Sequence, residues 1–229
     1  STPYQTHQFV ASETSNISLS APSSSLTTTP LHPPIRLAIF GSGKGSNFLA
    51  IYDAIQAGKL PATILIVVSD NPNARIIDLA KERNLPTLLV EEHRYKSRLS
   101  ENVESELAQK LLNLNIELIA LAGWMRIVKY PLLQAFPNRI LNIHPSLLPQ
   151  FPGLEAWRQA LLAGAKITGC TVHLVNEGID SGPILAQTQV PILPNDSPES
   201  LHARIQEAEH LLYPQTIASY CSYLRNNPS

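Results

Sequence analysis

Several short, almost continuously apolar runs constrain this chain more than any other feature: residues 35–40 (Ile-Arg-Leu-Ala-Ile-Phe), 64–69, 116–122 and 140–143. Runs of this length have no polar face to turn to water, so they belong to strands covered on both sides. Amphipathic helical stretches lie between them. One passes from Ser46 through Phe48, Ile51, Tyr52 and Ile55 to Gly58, and others are predicted over 74–83 and 96–112. Strand and helix in alternation imply right-handed crossovers, and hence an α/β fold with a doubly wound, mainly parallel sheet.

Further strands are predicted over 87–90, 168–175 and 184–192, with a helix introduced by Gly153-Leu154 that passes Trp157, Ala160 and Leu161 and ends at Gly164. A terminal helix starts near Asp196-Ser197-Pro198-Glu199, where a cap residue, a first-turn Pro and an early Glu agree. Its buried face reads Leu201, Ile205, Ala208 and Leu212, with Glu209 and His210 near its end. A length of 229 residues suits one substantial core, so 35–229 is read as a single domain with nothing further after that helix. Residues 1–34 differ: 19 of the 34 are Ser, Thr or Pro, and Glu13 is the only charged side chain. Such a segment has too little apolar surface to offset its ordering entropy, which predicts a disordered or weakly ordered N-terminal tail. An organelle transit peptide is the alternative; serine richness agrees with it, and the lack of Arg or Lys before Arg36 opposes it.

The net charge of −1 leaves no global field to draw in a polyanion, so no nucleic-acid partner is expected. Cys170 and Cys221 match neither a disulfide framework nor a structural zinc pattern, which points to a reducing compartment, with Cys170 as a small buried apolar residue. No apolar run approaches the roughly 20 residues needed to span a bilayer. The expectation is therefore no membrane and a cytoplasmic location, or an organelle if the tail is a targeting remnant. Monomer and homodimer both stay open.

Polar chemistry gathers where strands end. Gly41-Ser42-Gly43-Lys44-Gly45-Ser46-Asn47 follows the first strand and opens the first helix, with Ser46 placed as its N-cap. It is neither a Walker A loop nor G-x-G-x-x-G; the residues alone suit a tight turn or, with helix-start amides free, a monophosphate site. Pro145 cannot donate to a ladder, so the strand that begins at Ile140 stops near His144. On an extended chain Asn142 and His144 share a face, with Cα atoms roughly 6.6–7 Å apart. A turn amide beside a packed histidine, or a donor and a titratable ring facing a cleft, would both give that pair. Trp124 and Met125, after the strand predicted over 116–122, suit a pocket for a flat heterocycle or the core. Asp180, in a glycine-flanked turn, reads by itself as a turn cap. Arg98 alone reads as a solvated surface charge or a partner for an acidic substrate tail.

Taken together, Gly41–Asn47, Gly123-Trp124-Met125-Arg126, Asn142-Ile143-His144-Pro145-Ser146-Leu147-Leu148-Pro149, Phe151-Pro152-Gly153-Leu154, Thr171-Val172-His173, Asp180-Ser181-Gly182-Pro183-Ile184 and Glu209-His210-Leu211-Leu212-Tyr213-Pro214 resemble the folate-dependent phosphoribosylglycinamide formyltransferases. The resemblance runs from Ile35 to about Tyr220. It implies a Rossmann-like formyltransferase fold and transfer of the formyl group of 10-formyltetrahydrofolate, the co-substrate, to the amine of glycinamide ribonucleotide in purine synthesis, without a metal. By the same resemblance Asn142, His144 and Asp180 are the catalytic residues. Gly43, Lys44, Gly45, Ser46, Asn47 and Glu209 hold the ribonucleotide's phosphate and ribose. Arg98, Met125, Arg126, Ile127, Val128, Asn142 and Asp180 line the folate site. The Asn-Ile-His-Pro run also occurs in methionyl-tRNA formyltransferase-like enzymes, and a formyltetrahydrofolate hydrolase or a non-catalytic folate- or nucleotide-binding module would keep much of the pattern. Glu155-Ala156-Trp157 stands where some relatives have histidines, and Trp124 where some have Phe.

Overall fold

The computed structural model of the protein describes residues 6–7 and 32–228. Its sheet has eight strands: β1 (Thr6–His7), β2 (Ile35–Phe40), β3 (Ala62–Ser69), β4 (Thr87–Leu89), β5 (Leu118–Leu121), β6 (Ile140–His144), β7 (Ile167–Leu174) and β8 (Ile184–Pro191). Six helices accompany them: α1 (Ser46–Gln56), α2 (Arg75–Glu82), α3 (Glu101–Asn113), α4 (Tyr130–Ala135), α5 (Ala156–Leu162) and α6 (Pro198–Asn226). The spatial order is β1-β8-β7-β6-β5-β2-β3-β4. Strands β6, β5, β2, β3 and β4 are parallel, while β7, β8 and β1 extend that sheet antiparallel.

The double winding follows from how the central strands spend their side chains. In β2, Leu37 and Ile39 enter one core with Phe48 and Ile51 of α1 and Ile205, Tyr213 and Ile217 of α6. Ala38 and Phe40 enter the other with Leu107 and Leu111 of α3 and Leu132 of α4. Both pairs are fully buried, so a strand apolar at every position from Leu37 to Phe40 needs a helical layer on each face. The chain steps from β2 outward to β4 and then returns across β2 to β5. That reversal puts the loops after β2 and β5 side by side: Ser42 N donates to the Gly123 carbonyl at 2.9 Å, and Met125 N donates to Ser42 Oγ at 3.0 Å. Ligands of open parallel sheets settle at such switch points.

Several expectations shift. Ser46 is the first helical residue rather than the N-cap; Gly45 holds that position at φ 77°, a left-handed conformation that glycine adopts at little cost. A side chain at Gly41 has no room, since its Cβ would lie 2.8 Å from the Ala122 carbonyl. The helix expected over 96–112 starts only at Glu101, because the preceding loop is tied down first: Glu92 accepts from Arg94 N and Ser100 N, and Arg126 binds the Tyr95 and Arg98 carbonyls. Residues 130–135 form a helix that no sequence periodicity announced, its start held by the buried Glu104 carboxylate, which accepts from Lys129 N and Leu132 N. The terminal helix does not end near His210 but continues to Asn226 through Pro214. Pro214 sacrifices one backbone bond, while Tyr213, Ile217, Tyr220 and Leu224 keep the next turns buried. Most of the tail expected over 1–34 falls outside the described residues; within it, Thr6–His7 pairs with Thr188 and Gln187 of β8.

Candidate active site

Strand β6 ends at His144, immediately before Pro145. In the β6–β7 ladder Asn142 sits opposite His173, and the two side chains meet, Asn142 Nδ2 lying 3.2 Å from His173 Nε2. The other nitrogen, His173 Nδ1, lies 3.0 Å from the Leu174 carbonyl. A carbonyl only accepts, so Nδ1 carries the proton and Nε2 is left as an acceptor for the amide. Burial holds the His173 pKa below the usual imidazole value, against the pull of that carbonyl and of Asp180, and keeps this neutral tautomer. One N–H of the Asn142 amide is therefore anchored, and the second remains for a ligand.

His144 is buried, with Nε2 2.9 Å from the Phe151 carbonyl and Nδ1 3.5 Å from Asp180 Oδ2. Nε2–H donates to Phe151, so the ring's remaining nitrogen faces a carboxylate. Asp180 itself accepts from Gly153 N at 2.8 Å and has φ 51°. The turn it sits in is shaped by another residue: Asn176 Oδ1 accepts from Gly178 N and from Ser181 Oγ. Asp180 is thus free of turn capping and directed across to the loop after β6. Since Val175 N bonds Ile140 O, the β7–β8 loop starts at the far end of β6 and doubles back to bring Asp180 to His144.

The glycine loop and α6 form the second part. The first α1 amide to reach a carbonyl is Leu49 N, which donates to Gly45 at 3.0 Å, so the amides of the opening turn are available to an anion. Asn47 Nδ2 donates to Glu209 Oε1 at 3.2 Å, while Asn47 Oδ1 is buried without a partner. Burial pushes the Glu209 carboxyl up to about 7, the Asn47 bond opposing it. A buried acceptor with nothing bound beside a carboxyl this perturbed is the pattern expected of a polar ligand site. Gly43 and Lys44 are exposed at the loop's crest, and Gly45 is buried beneath it.

Besides Asn142 and Asp180, the residues expected to line the folate site divide into four groups. Val128 lines a cavity of about 530 Å³ together with Lys129, Tyr130, Leu133, Gln134 and Glu177. Arg98 lines a different one of about 660 Å³, its guanidinium 3.7 Å from the Tyr95 ring centroid. Met125 and Ile127 act through their backbones on Ser42 Oγ and the Ser97 carbonyl. Arg126 departs furthest from the expectation: its Nε pairs with Asp70 at 2.7 Å and its Nη1 holds the Tyr95 and Arg98 carbonyls, so the guanidinium braces loops. Trp124 packs edge to face on Phe40, with centroids 5.2 Å apart, closer to the core reading. His173 belongs to the Thr171-Val172-His173 motif, but its role depends on β6 and β7 being antiparallel neighbours. Among the described residues no group of three or more His, Cys, Asp or Glu is arranged to hold a metal, and no helix is long and apolar enough to cross a membrane.

An amide with one free N–H, a carboxylate-flanked imidazole and an anion-binding loop gathered along a doubly wound sheet define a group-transfer enzyme class, and the chain belongs to the formyl transferase family, whose pattern matches residues 35–217. Its similarity within that family runs to a particular enzyme. The phosphoribosylglycinamide formyltransferase of Bacillus subtilis is 42% identical over 182 residues, covering 80% of this chain and 92% of that protein. The crystal structure of glycinamide ribonucleotide transformylase 1 from Symbiobacterium toebii superposes with a TM-score of 0.81 at 43% identity, over 88% of this chain and 94% of that one. The trifunctional purine biosynthetic protein adenosine-3 of Drosophila melanogaster is 42% identical over 185 residues, which cover 80% of this chain but only 14% of that much longer protein.

Proposed function

We propose that this chain is a phosphoribosylglycinamide formyltransferase, moving the formyl group of 10-formyltetrahydrofolate to the amine of glycinamide ribonucleotide in purine biosynthesis. The observation that carries the reading is the convergence of Asn142, His173, His144 and Asp180 in a chain similar over most of its length to enzymes of that name. The substrate amine attacks the formyl carbon, the carbon–nitrogen bond to the folate breaks, and a proton passes from the incoming amine to the departing nitrogen. Asn142 supplies its free N–H to the oxygen that gains charge, already oriented by His173. His144 and Asp180 lie beside it as an imidazole–carboxylate pair. The imidazole is held by the Phe151 carbonyl at Nε2 and the Asp180 carboxylate at Nδ1, which fix the ring beside the oxygen that gains charge.

The remaining roles follow the geometry. The α1 amides and Lys44 bind the phosphate. Asn47 Oδ1 and Glu209 take the ribose hydroxyls, which would supply the donors this buried pair lacks. The cavity beside α4 has the volume of a drug-sized ligand site and takes the pterin part of the folate, with Val128 in its wall. Arg98 and its neighbouring cavity take the acidic tail. No metal enters the reaction, the enzyme acts in a cytoplasmic compartment, and residues 35–229 form the single catalytic domain.

The test is release of tetrahydrofolate from 10-formyltetrahydrofolate, followed spectroscopically with and without glycinamide ribonucleotide. Turnover that requires the ribonucleotide and disappears in His144→Ala is expected. Release without ribonucleotide would assign a hydrolase instead, and binding without release a non-catalytic module.

A further inference from the structure

Trp157 on α5 lies flat against His202 on α6, with ring centroids 3.6 Å apart and planes 5° from parallel. The stack fixes the imidazole but uses only its face. Neither ring nitrogen of His202 makes a hydrogen bond to another described residue, and the exposed Lys44 ammonium has neither an ion pair nor a hydrogen bond among them. His202 and Glu209 are seven residues apart, which on an α-helix returns to the same face about 10 Å along the axis. Glu209 receives Asn47 at 3.2 Å, and the charge of Lys44 reaches His202, so the glycine loop runs along these two turns of α6. Gln206, half-buried, lies between them on that face.

We propose that His202, braced by Trp157, is a further ligand of the ribonucleotide's phosphate, completing a pocket with Lys44 and the opening amides of α1. The inference rests on the phosphate reading of the glycine loop and deepens it. In the free protein, burial first and the Lys44 charge second hold the His202 pKa below the usual imidazole value. From α5 the opposing group is Glu155, itself 3.6 Å from Arg158. On its own helix the acids spaced to share its face are Glu199, one turn earlier, and Glu209, two turns later, with Glu207 set round towards the other side. A phosphate dianion set beside the ring offsets Lys44 and outweighs these groups, so His202 takes up a proton from solvent as the phosphate binds. A flat aromatic floor is what a phosphate-binding imidazole needs, because it fixes the ring plane while leaving both nitrogens at the rim.

His202→Phe keeps a ring on Trp157 and removes both nitrogens; His202→Gln serves as a second variant should Phe disturb folding. In the full chain either substitution should raise KM for glycinamide ribonucleotide about 10-fold or more, the scale of a lost charge-assisted hydrogen bond, and leave kcat within about two-fold. Ribose 5-phosphate is the direct binding probe, with phosphate-free ribose as control. Calorimetry in buffers of different ionisation enthalpy should show proton uptake when wild type binds ribose 5-phosphate, and none in the variants. Unchanged affinity for ribose 5-phosphate in both variants, or no proton uptake in wild type, overturns the inference. Formyl transfer by wild type together with variants of normal KM overturns it alone. Proton-linked binding of ribose 5-phosphate by a protein that transfers no formyl group would leave it standing and overturn the proposed function.

Discussion

At the scale of single residues the site depends on which hydrogen each polar group has left to give. Asn142 has one N–H on His173 and one free. Asn142→Ala should lower kcat roughly 10²–10³-fold if that second hydrogen serves the oxyanion, with KM for both substrates nearly unchanged. His173→Phe should lower kcat about 10-fold by unanchoring the amide; steady-state kinetics of the two variants separates donor from anchor. Glu209 gives a pH prediction whose sign follows from a raised carboxyl pKa. Between the unfolded value near 4.5 and the folded value of about 7, the unfolded chain ionises and the folded one does not. Stability from this group is present below that window and lost as pH rises through it, on the order of 3 kcal/mol in all. Urea midpoints of wild type at pH 5 and 8 should therefore differ more than those of Glu209→Gln, and equal pH dependence in the two would remove Glu209 as the cause. The sequence made Asn142, His144 and Asp180 legible because a strand stop at Pro145 and ordered motifs mark them. The anchoring by His173 and the strut role of Arg126 were not legible, since each depends on a partner far away in the chain, and the spent Nε2 of His144 was not, since it depends on how the loop after β6 folds back to bring the Phe151 carbonyl against it.

Elements were legible where hydrophobic pattern alone decides them. Continuous apolar runs gave β2, β5 and β6 to within a residue or two, and Ser197 with Pro198 gave the start of α6, whose cap accepts from Ser200 N. Elements fixed by side chains from elsewhere were missed or misplaced. The start of α4 needs Glu104 of α3, and the late start of α3 needs Arg126 from the loop after β5. This second case carries a prediction at the element scale. The Arg126 and Asp70 side chains are only 10% and 9% exposed, and the pair joins the carboxyl ends of β3 and β5 to the loop before α3. Arg126→Ala would strand a buried carboxylate, so it should destabilise the protein by about 3–5 kcal/mol in urea unfolding without any ligand. It should also raise KM for the folate, because both loops that carry Val128 and Arg98 lose their brace. A normal unfolding midpoint with only the folate KM raised would return Arg126 to a ligand role.

At the scale of the whole molecule the long helix α6 closes the structure on itself. It covers one face of the sheet, carries Glu209 to the glycine loop, and places the Tyr213 hydroxyl against the Leu121 and Leu141 carbonyls, at 2.8 and 3.1 Å, where β5 and β6 deliver the site. Its last turn is tied to the start of the sheet. Arg225 pairs with Glu117 at 2.5 Å and donates to the Pro33 and Pro34 carbonyls, and Glu117 in turn binds Arg36 N and its guanidinium. The Arg225 guanidinium holds the Glu117 carboxyl below its ordinary pKa, the sign of a pair whose charged form the fold favours. This tie predicts that a stable domain needs the two prolines before β2 as well as residues 35–229. A chain that starts at His32 keeps the Pro33 and Pro34 carbonyls as acceptors, whereas one that starts at Ile35 removes both and puts a charged amino terminus in their place. The first truncation is expected to keep wild-type kcat and a melting temperature within about 2 °C. The second should melt several degrees lower, since 1 kcal/mol moves the midpoint of a domain this size by roughly 2–4 °C. Thermal melts of the two truncations, read beside Glu117→Gln in the full chain, test the closure: a large loss already at His32 would show that the short Thr6–His7 pairing on β8 carries much of the stability, and no difference between His32 and Ile35 would show that the Arg225 tie does not hold the ends together.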